Sequence, residues 1–226
     1  MRTESVGSSY LVIPDGPGPH PALVVVHEAF GLNDNIRDIC RRFADAGYAA
    51  LGVDLFEGRN RAVCMARIMA GALAGNLDHK GVPELKSALS KLGALPEVDE
   101  DRIGAVGFCL GGTIIMTWAC TDDRLGAVAP FYGVAPRSEE AIRRMCPVVG
   151  SWPGKDFTTK AAEKIDVELF AVGTPHDLKV YPEAKHSFFN DQGRSHNPDA
   201  AADSWERVLA FFSEHLAAPS PAAPAD

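Results

Sequence analysis

The sequence predicts an α/β fold: one mostly parallel, twisted sheet with helices on both faces. Three observations point there. Short apolar, β-branched runs such as Ala22–Val26 and Leu125–Phe131 alternate with amphipathic stretches along almost the whole chain, as expected for strands buried on both faces and joined by crossover helices. The chain has 226 residues, enough for one layered domain with its own core. The glycine-rich segment Gly107-Phe108-Cys109-Leu110-Gly111-Gly112 stands between a strand pattern and a helix pattern, at the carboxyl end of a strand, where such sheets carry their sites.

The elements follow in order. Ser9 to Pro14 reads as a first strand, and Asp15 to Pro21 as a Gly/Pro turn segment. Ala22 to Val26 is a buried strand ending at His27-Glu28. Asn33 or Asp34 caps a helix with Ile36, Ile39, Cys40 and Phe43 at helical spacing, and Gly47 ends it. Tyr48 to Leu55 is a strand. Met65, Ile68, Met69 and Leu73 suggest a helix that Gly71 and Gly75 weaken. Pro83 opens a helix over Glu84 to Leu92. Arg102 to Val106 is the strand before the glycine-rich turn, and the helix after that turn runs to about Cys120. Leu125 to Phe131 and Pro147 to Trp152 are strands, and Lys160 to Ile165 belongs to a helix. Val167 to Val172 reads as a loop or short strand, and Leu178 to Tyr181 as a strand. Pro198 to Leu216 is an amphipathic helix with Trp205, Val208, Leu209 and Phe212 on one face. Residues 1–216 make a single domain, and the Ala/Pro-rich tail over 217–226 is expected to be disordered.

Composition narrows the function. The net charge is −8, which disfavours nucleic acid and anionic membranes as partners. The five cysteines, Cys40, Cys64, Cys109, Cys120 and Cys146, are odd in number and form no CxxC pair, so neither a disulfide framework nor a zinc site is expected. The N-terminal residues lack the apolar stretch of a signal peptide. No run of about 18 apolar residues occurs. The expectation is a cytoplasmic protein acting on a small molecule, as a monomer or small homo-oligomer.

The chemistry centres on Cys109. A strand-to-helix turn tight enough to project a nucleophile strains the residue at its apex and needs small residues two before and two after it. Gly107 and Gly111 meet that need. The N-terminus of the following helix would favour a thiolate. A phosphate-binding turn is the plainer alternative, but Gly112 is followed by Thr113 rather than lysine. A base and an orienting acid are required. His186 lies in the loop after the strand Leu178 to Tyr181, and Asp156 in the loop after Pro147 to Trp152. Nucleophile, acid and histidine thus fall in the chain order used by this architecture. The oxyanion hole is assigned to the backbone N–H groups of Leu110 and Ala29, each donor of this kind being worth about 3 kcal/mol of barrier. Glu28 either faces water or lies beside Cys109 and influences its protonation. Because Gly31 follows in the fourth position, His27-Glu28 does not begin a zinc HExxH motif.

Taken together, Val26-His27-Glu28-Ala29-Phe30-Gly31, the turn around Cys109, Gly154-Lys155-Asp156 and Tyr181-Pro182-Glu183-Ala184-Lys185-His186-Ser187-Phe188 resemble the dienelactone hydrolase (carboxymethylenebutenolidase) family over about residues 8–216. The resemblance implies an α/β-hydrolase fold without a large lid domain, and no metal or organic cofactor. It implies Cys109 as nucleophile, His186 as base, Asp156 as orienting acid, and Glu28 as the group that keeps the thiol neutral at rest and takes its proton when substrate binds. The reaction implied is hydrolysis of a small lactone or ester through an acyl-enzyme. Family enzymes hold a substrate carboxylate with two arginines. Arg59, Arg61 and Arg67 fall in the segment of the first, with Arg61 taken as the candidate. After His186 no arginine occurs until Arg194, a departure from the pattern. Phe30 and Tyr132 are further candidates for the substrate pocket, Tyr132 having a core position as its plainer alternative. Two other functions fit the same fold: a small-molecule binding protein without turnover, and a thiol redox enzyme using Cys109, with Cys146 or Cys40 as a partner brought near in space.

Overall fold

Strands and helices alternate along the chain because buried runs and amphipathic runs alternate in it. The computed structural model describes residues 1–217, so the tail from 218 onward lies outside the described residues. The strands are β1 (Arg2–Val6), β2 (Ser9–Ile13), β3 (His20–Val26), β4 (Ala49–Val53), β5 (Val98–Phe108), β6 (Leu125–Phe131), β7 (Val148–Pro153) and β8 (His176–Tyr181). The helices are α1 (Asp34–Asp45), α2 (Arg61–Leu73), α3 (Val82–Gly93), α4 (Leu110–Ala119), α5 (Glu139–Ile142), α6 (Lys160–Val172) and α7 (Pro198–His215). All these strands join one sheet in the order β1-β2-β4-β3-β5-β6-β7-β8. β1 and β2 are antiparallel to their neighbours, and the pairings from β4 through β8 are parallel. The fold is that of the α/β-hydrolases, with no large lid.

Two cores flank the sheet. One packs Leu85, Ile114, Trp118 and Ile165, from α3, α4 and α6, against one face. The other packs Ile36, Phe43, Val208 and Phe212, from α1 and α7, against the opposite face. The helix ends follow local chemistry. Asn33 accepts from the Ile36 N–H at 3.1 Å to start α1, and Gly47, at φ 94°, turns the chain after it.

The structure corrects the sequence reading in four places. β1 precedes the first predicted strand; every residue in it is exposed, so no burial pattern advertises it, and pairing with β2 and the Arg2–Glu97 ion pair hold it. β3 begins at His20 rather than Ala22, and its ladder to β5 shifts register between His20 and Ala22, which accommodates Pro21 where the ladder is broken. The segment Val167 to Val172 is helical, continuing α6. Val167 and Phe170 there are exposed, Phe170 at 79%, and the helix is set instead by buried Ala161, Ile165 and Leu169 at helical spacing. The short helix α5 was not anticipated; Ser138 caps it, accepting from the Ala141 N–H at 3.2 Å.

From β3 the sheet grows one way to β4 and the other way to β5. The carboxyl ends of β3 and β5 therefore flank a topological switch point. β3 delivers His27-Glu28-Ala29 there, and β5 delivers Cys109.

Candidate active site

Cys109 stands between β5 and α4 at φ 54° and ψ −109°, a region that costs a β-carbon-bearing residue steric strain. The glycines around it are dictated by close approach. A β-carbon on Gly107 would lie 2.5 Å from the Gly111 carbonyl carbon and oxygen, and one on Gly111 would lie 2.4 Å from the Val26 carbonyl oxygen. Tyr132 (φ 39°) and Ser187 (φ 62°) also hold positive φ without being glycine. These three positions follow β5, β6 and His186; a fourth, Glu57 (φ 46°), follows β4 in the lining of a separate groove. Cys109 and Tyr132 line one cavity with His186, the residue before Ser187.

That cavity has a volume of ≈ 150 Å³, with Cys109 and His186 in its lining. Met65 and Met69 of α2 also line it, with Val134, Tyr132 and Phe157 completing much of the wall. His186 Nδ1 donates to Asp156 Oδ2 at 3.0 Å. The other carboxylate oxygen accepts the Thr158 N–H at 2.8 Å and its hydroxyl at 2.6 Å, which fixes the carboxylate toward the ring. Phe157 stacks on the imidazole at 5.7 Å and 15° while remaining 77% exposed. Tyr132 packs on the ring from another side at 5.0 Å. A larger groove of ≈ 460 Å³, lined by Val53, Ser87 and Lys91, includes none of these groups.

Electrostatics hold the thiol protonated. Burial pushes Cys109 up to about 11, the negative charge of Glu28 adds to this, and the backbone N–H groups of Leu110 and Ala29 oppose it. The helix N-terminus expected to favour a thiolate is outweighed by burial and a carboxylate, in line with the resting role that the family resemblance implies for Glu28. The two opposing N–H groups are the ones assigned to the oxyanion hole, and both approach the sulfur. Glu28 is buried. Its Oε2 accepts from Asn190 Nδ2 at 3.4 Å, and its Oε1 has no partner among the described residues. Tyr132 is fully buried, and its hydroxyl is held far above the ordinary phenol range by burial first, then by the negative charge of the nearby Glu28.

The remaining candidates are dispersed. Arg61 Nη1 donates to the Phe30 carbonyl oxygen at 2.9 Å, so it braces the loop after β3, and Phe30 is 60% exposed. Arg59 pairs with Glu57. Neither these arginines nor Arg67, nor Phe30, is among the residues lining the cavity. Tyr132 belongs both to a core cluster and to the cavity wall. Cys40 is buried in α1 and Cys146 is half-buried; neither lines the cavity.

Sequence reasoning passed over Thr158, Phe157, Asn190 and His27. The first two follow Asp156 directly, which is the only local signal pointing to them. At Asn190 the search was for an arginine. His27 is fully buried. Its Nε2 accepts the Leu55 N–H at 3.1 Å, which leaves Nδ1–H to donate to the Glu28 carbonyl oxygen at 2.6 Å. It thereby fixes the backbone that carries Glu28 and Ala29.

Comparison with known proteins gives a consistent picture. The model of the dienelactone hydrolase family matches residues 8–216. A protein of Saccharolobus solfataricus named "Putative carboxymethylenebutenolidase" is 33% identical, over 90% of this chain and 92% of that protein. A crystal structure of a dienelactone hydrolase-like promiscuous phosphotriesterase from metagenomic libraries superposes with a TM-score of 0.78 at 27% identity, covering 92% of each chain. A dienelactone hydrolase from Anabaena variabilis, 20% identical, shares the fold with a TM-score of 0.69 over 95% of this chain and 96% of its own.

Proposed function

The chain belongs to the dienelactone hydrolase family, and from that premise we propose that Cys109, His186 and Asp156 carry out its hydrolysis through an acyl-enzyme. The family makes it a hydrolase of carboxylic esters or lactones. The observation that carries the triad reading is the Asp156-bound ring of His186 sharing one cavity with Cys109.

The proposed cycle starts from a neutral thiol, a Glu28 carboxylate and a His186 imidazolium. The thiol proton passes to Glu28. The thiolate sulfur bonds to the substrate carbonyl carbon, and the N–H groups of Leu110 and Ala29 receive the developing oxyanion. The C–O bond to the leaving group breaks as that oxygen takes the His186 proton. In the second half, neutral His186 removes a proton from water, the hydroxide adds to the thioester, and the C–S bond breaks. The departing thiolate recovers its proton from Glu28. Asp156 holds the ring orientation and stabilises the imidazolium throughout.

The test is turnover of p-nitrophenyl acetate by the wild type and by Cys109→Ala, with mass spectrometry of the quenched wild type. Loss of turnover in the variant and an acetyl adduct on Cys109 are expected. Full activity in Cys109→Ala would refute the reading.

A further inference from the structure

We infer that the substrate presents a neutral, apolar acyl group of several carbons, held in a recess that runs from Cys109 along α4, away from His186. This rests on the hydrolase reading above and gives it a substrate class.

The direction follows from the chemistry. The leaving oxygen must reach the His186 proton, so the leaving group departs past His186 and Phe157. The acyl group then occupies the opposite side. The lining outside His186, Phe157 and Thr158 includes Met65, Met69 and Val134. A second recess of ≈ 50 Å³ shares Met69, Thr113 and Val134 with the first cavity and continues to Ala72, Thr117 and Ala135. Thr113 and Thr117 are successive turns of α4. The Thr113 hydroxyl donates to the Cys109 carbonyl at 3.2 Å and accepts the Val134 N–H at 2.9 Å, and the Thr117 hydroxyl donates to the Thr113 carbonyl at 3.2 Å. With both hydroxyls engaged by backbone, the wall they form is apolar. α2 repeats the theme: it is apolar on almost every side, yet only Cys64 and Ile68 are buried in it.

Charge argues the same way. No lysine or arginine lines the main cavity among the described residues. Glu28 and Asp156 place two carboxylates beside it. The His186 imidazolium of the proposed cycle is already paired with Asp156, so an acyl chain ending in a carboxylate would be desolvated without a free counter-ion and repelled by Glu28. Arg137, an exposed residue lining the second recess, is the one lysine or arginine in either lining among the described residues, and the test includes a longer anionic chain that would meet it.

The experiment measures kcat/KM of the full chain for p-nitrophenyl acetate, butyrate, valerate and hexanoate, and for the mono-p-nitrophenyl ester of glutarate, which matches valerate in length. The expected rise is roughly threefold per methylene from acetate to butyrate. The glutarate ester should fall at least tenfold below valerate. Ala72→Phe, or Ala135→Leu on the other wall, should lower the hexanoate-to-acetate ratio by narrowing the recess. A profile flat in chain length, or glutarate preferred to valerate, with turnover still dependent on Cys109, overturns this inference alone. Absence of Cys109-dependent turnover on every ester overturns the hydrolase reading with it.

Discussion

Replacing Glu28 with glutamine should make Cys109 more reactive at neutral pH while making the enzyme worse. In the resting site the thiol titrates at about 11, raised by burial and then by the Glu28 charge. At pH 8 such a thiol is about 0.1% ionised, against about a tenth for a cysteine titrating at the ordinary 9.0. The rarer thiolate is intrinsically more nucleophilic, by roughly tenfold over that span. The wild-type Cys109 should therefore alkylate with iodoacetamide about tenfold more slowly than a free cysteine at pH 8. Glu28→Gln removes the charge and leaves the burial. The midpoint of the rate against pH should move down by about one pH unit, and the rate at pH 8 should rise about threefold. Ester turnover should fall, since the proposed proton acceptor is gone. The assay is mass spectrometry of the Cys109 peptide across pH 7 to 11, with Cys109→Ala as the background. A wild-type midpoint below that of a free cysteine, or a midpoint that Glu28→Gln leaves unmoved, would refute the account of the resting thiol.

Three further outcomes follow from the geometry. Asp156→Asn keeps the shape but removes the charge facing His186 Nδ1, so kcat/KM should fall by roughly 10³- to 10⁴-fold with little change in melting temperature; activity within tenfold of wild type would count against the triad. Gly111→Ala places a β-carbon 2.4 Å from the Val26 carbonyl oxygen, backbone that cannot swing aside, and should cost about 3 kcal/mol in urea denaturation along with activity. Stability should also fall above pH 9. Cys40, Cys120 and Cys146 are raised to about 12 and Cys109 to about 11, all chiefly by burial, so between pH 9 and 11 the unfolded chain has lost protons that the native chain keeps. Native-state proton binding then exceeds that of the unfolded state, and stability drops with rising pH, by about 5 kcal/mol at pH 10; denaturation curves at pH 7 and pH 10 that coincide would contradict this.

The tight turn at Cys109 was more legible than the fold's margins, for a physical reason. The turn at Cys109 needs glycine on both sides because backbone approaches within 2.5 Å of where β-carbons would be, and that need is written within a few adjacent residues. The buried strands β3 and β6 likewise spell themselves out as apolar runs. What escaped depends on partners distant in the chain. β1 has no buried residue to mark it. Val167 and Val172 resemble strand residues, but the helix answers to Ile165 and Leu169 packing beneath them. Arg61 is in the right segment for a substrate contact, yet only the folded loop reveals that it grips the Phe30 carbonyl. Asn190 meets Glu28 across a separation no local pattern could report.

The resting state of the thiol then bears on how catalysis begins. Raising a thiol from an ordinary 9.0 to about 11 corresponds to about 3 kcal/mol against ionisation. The helix N-terminus behind Cys109 contributes at most about 2 kcal/mol in the other direction, so it cannot ionise the sulfur unaided. The N–H groups of Leu110 and Ala29, which now lower the thiol pKa by facing the sulfur, are the same groups proposed to receive the substrate oxygen. As a carbonyl engages them, a thiolate formed beside Glu28 loses its best hydrogen bonds and becomes a stronger nucleophile. Full nucleophilicity is thus reached only with a carbonyl in place, and an empty site keeps its sulfur protonated and slow to react with other electrophiles.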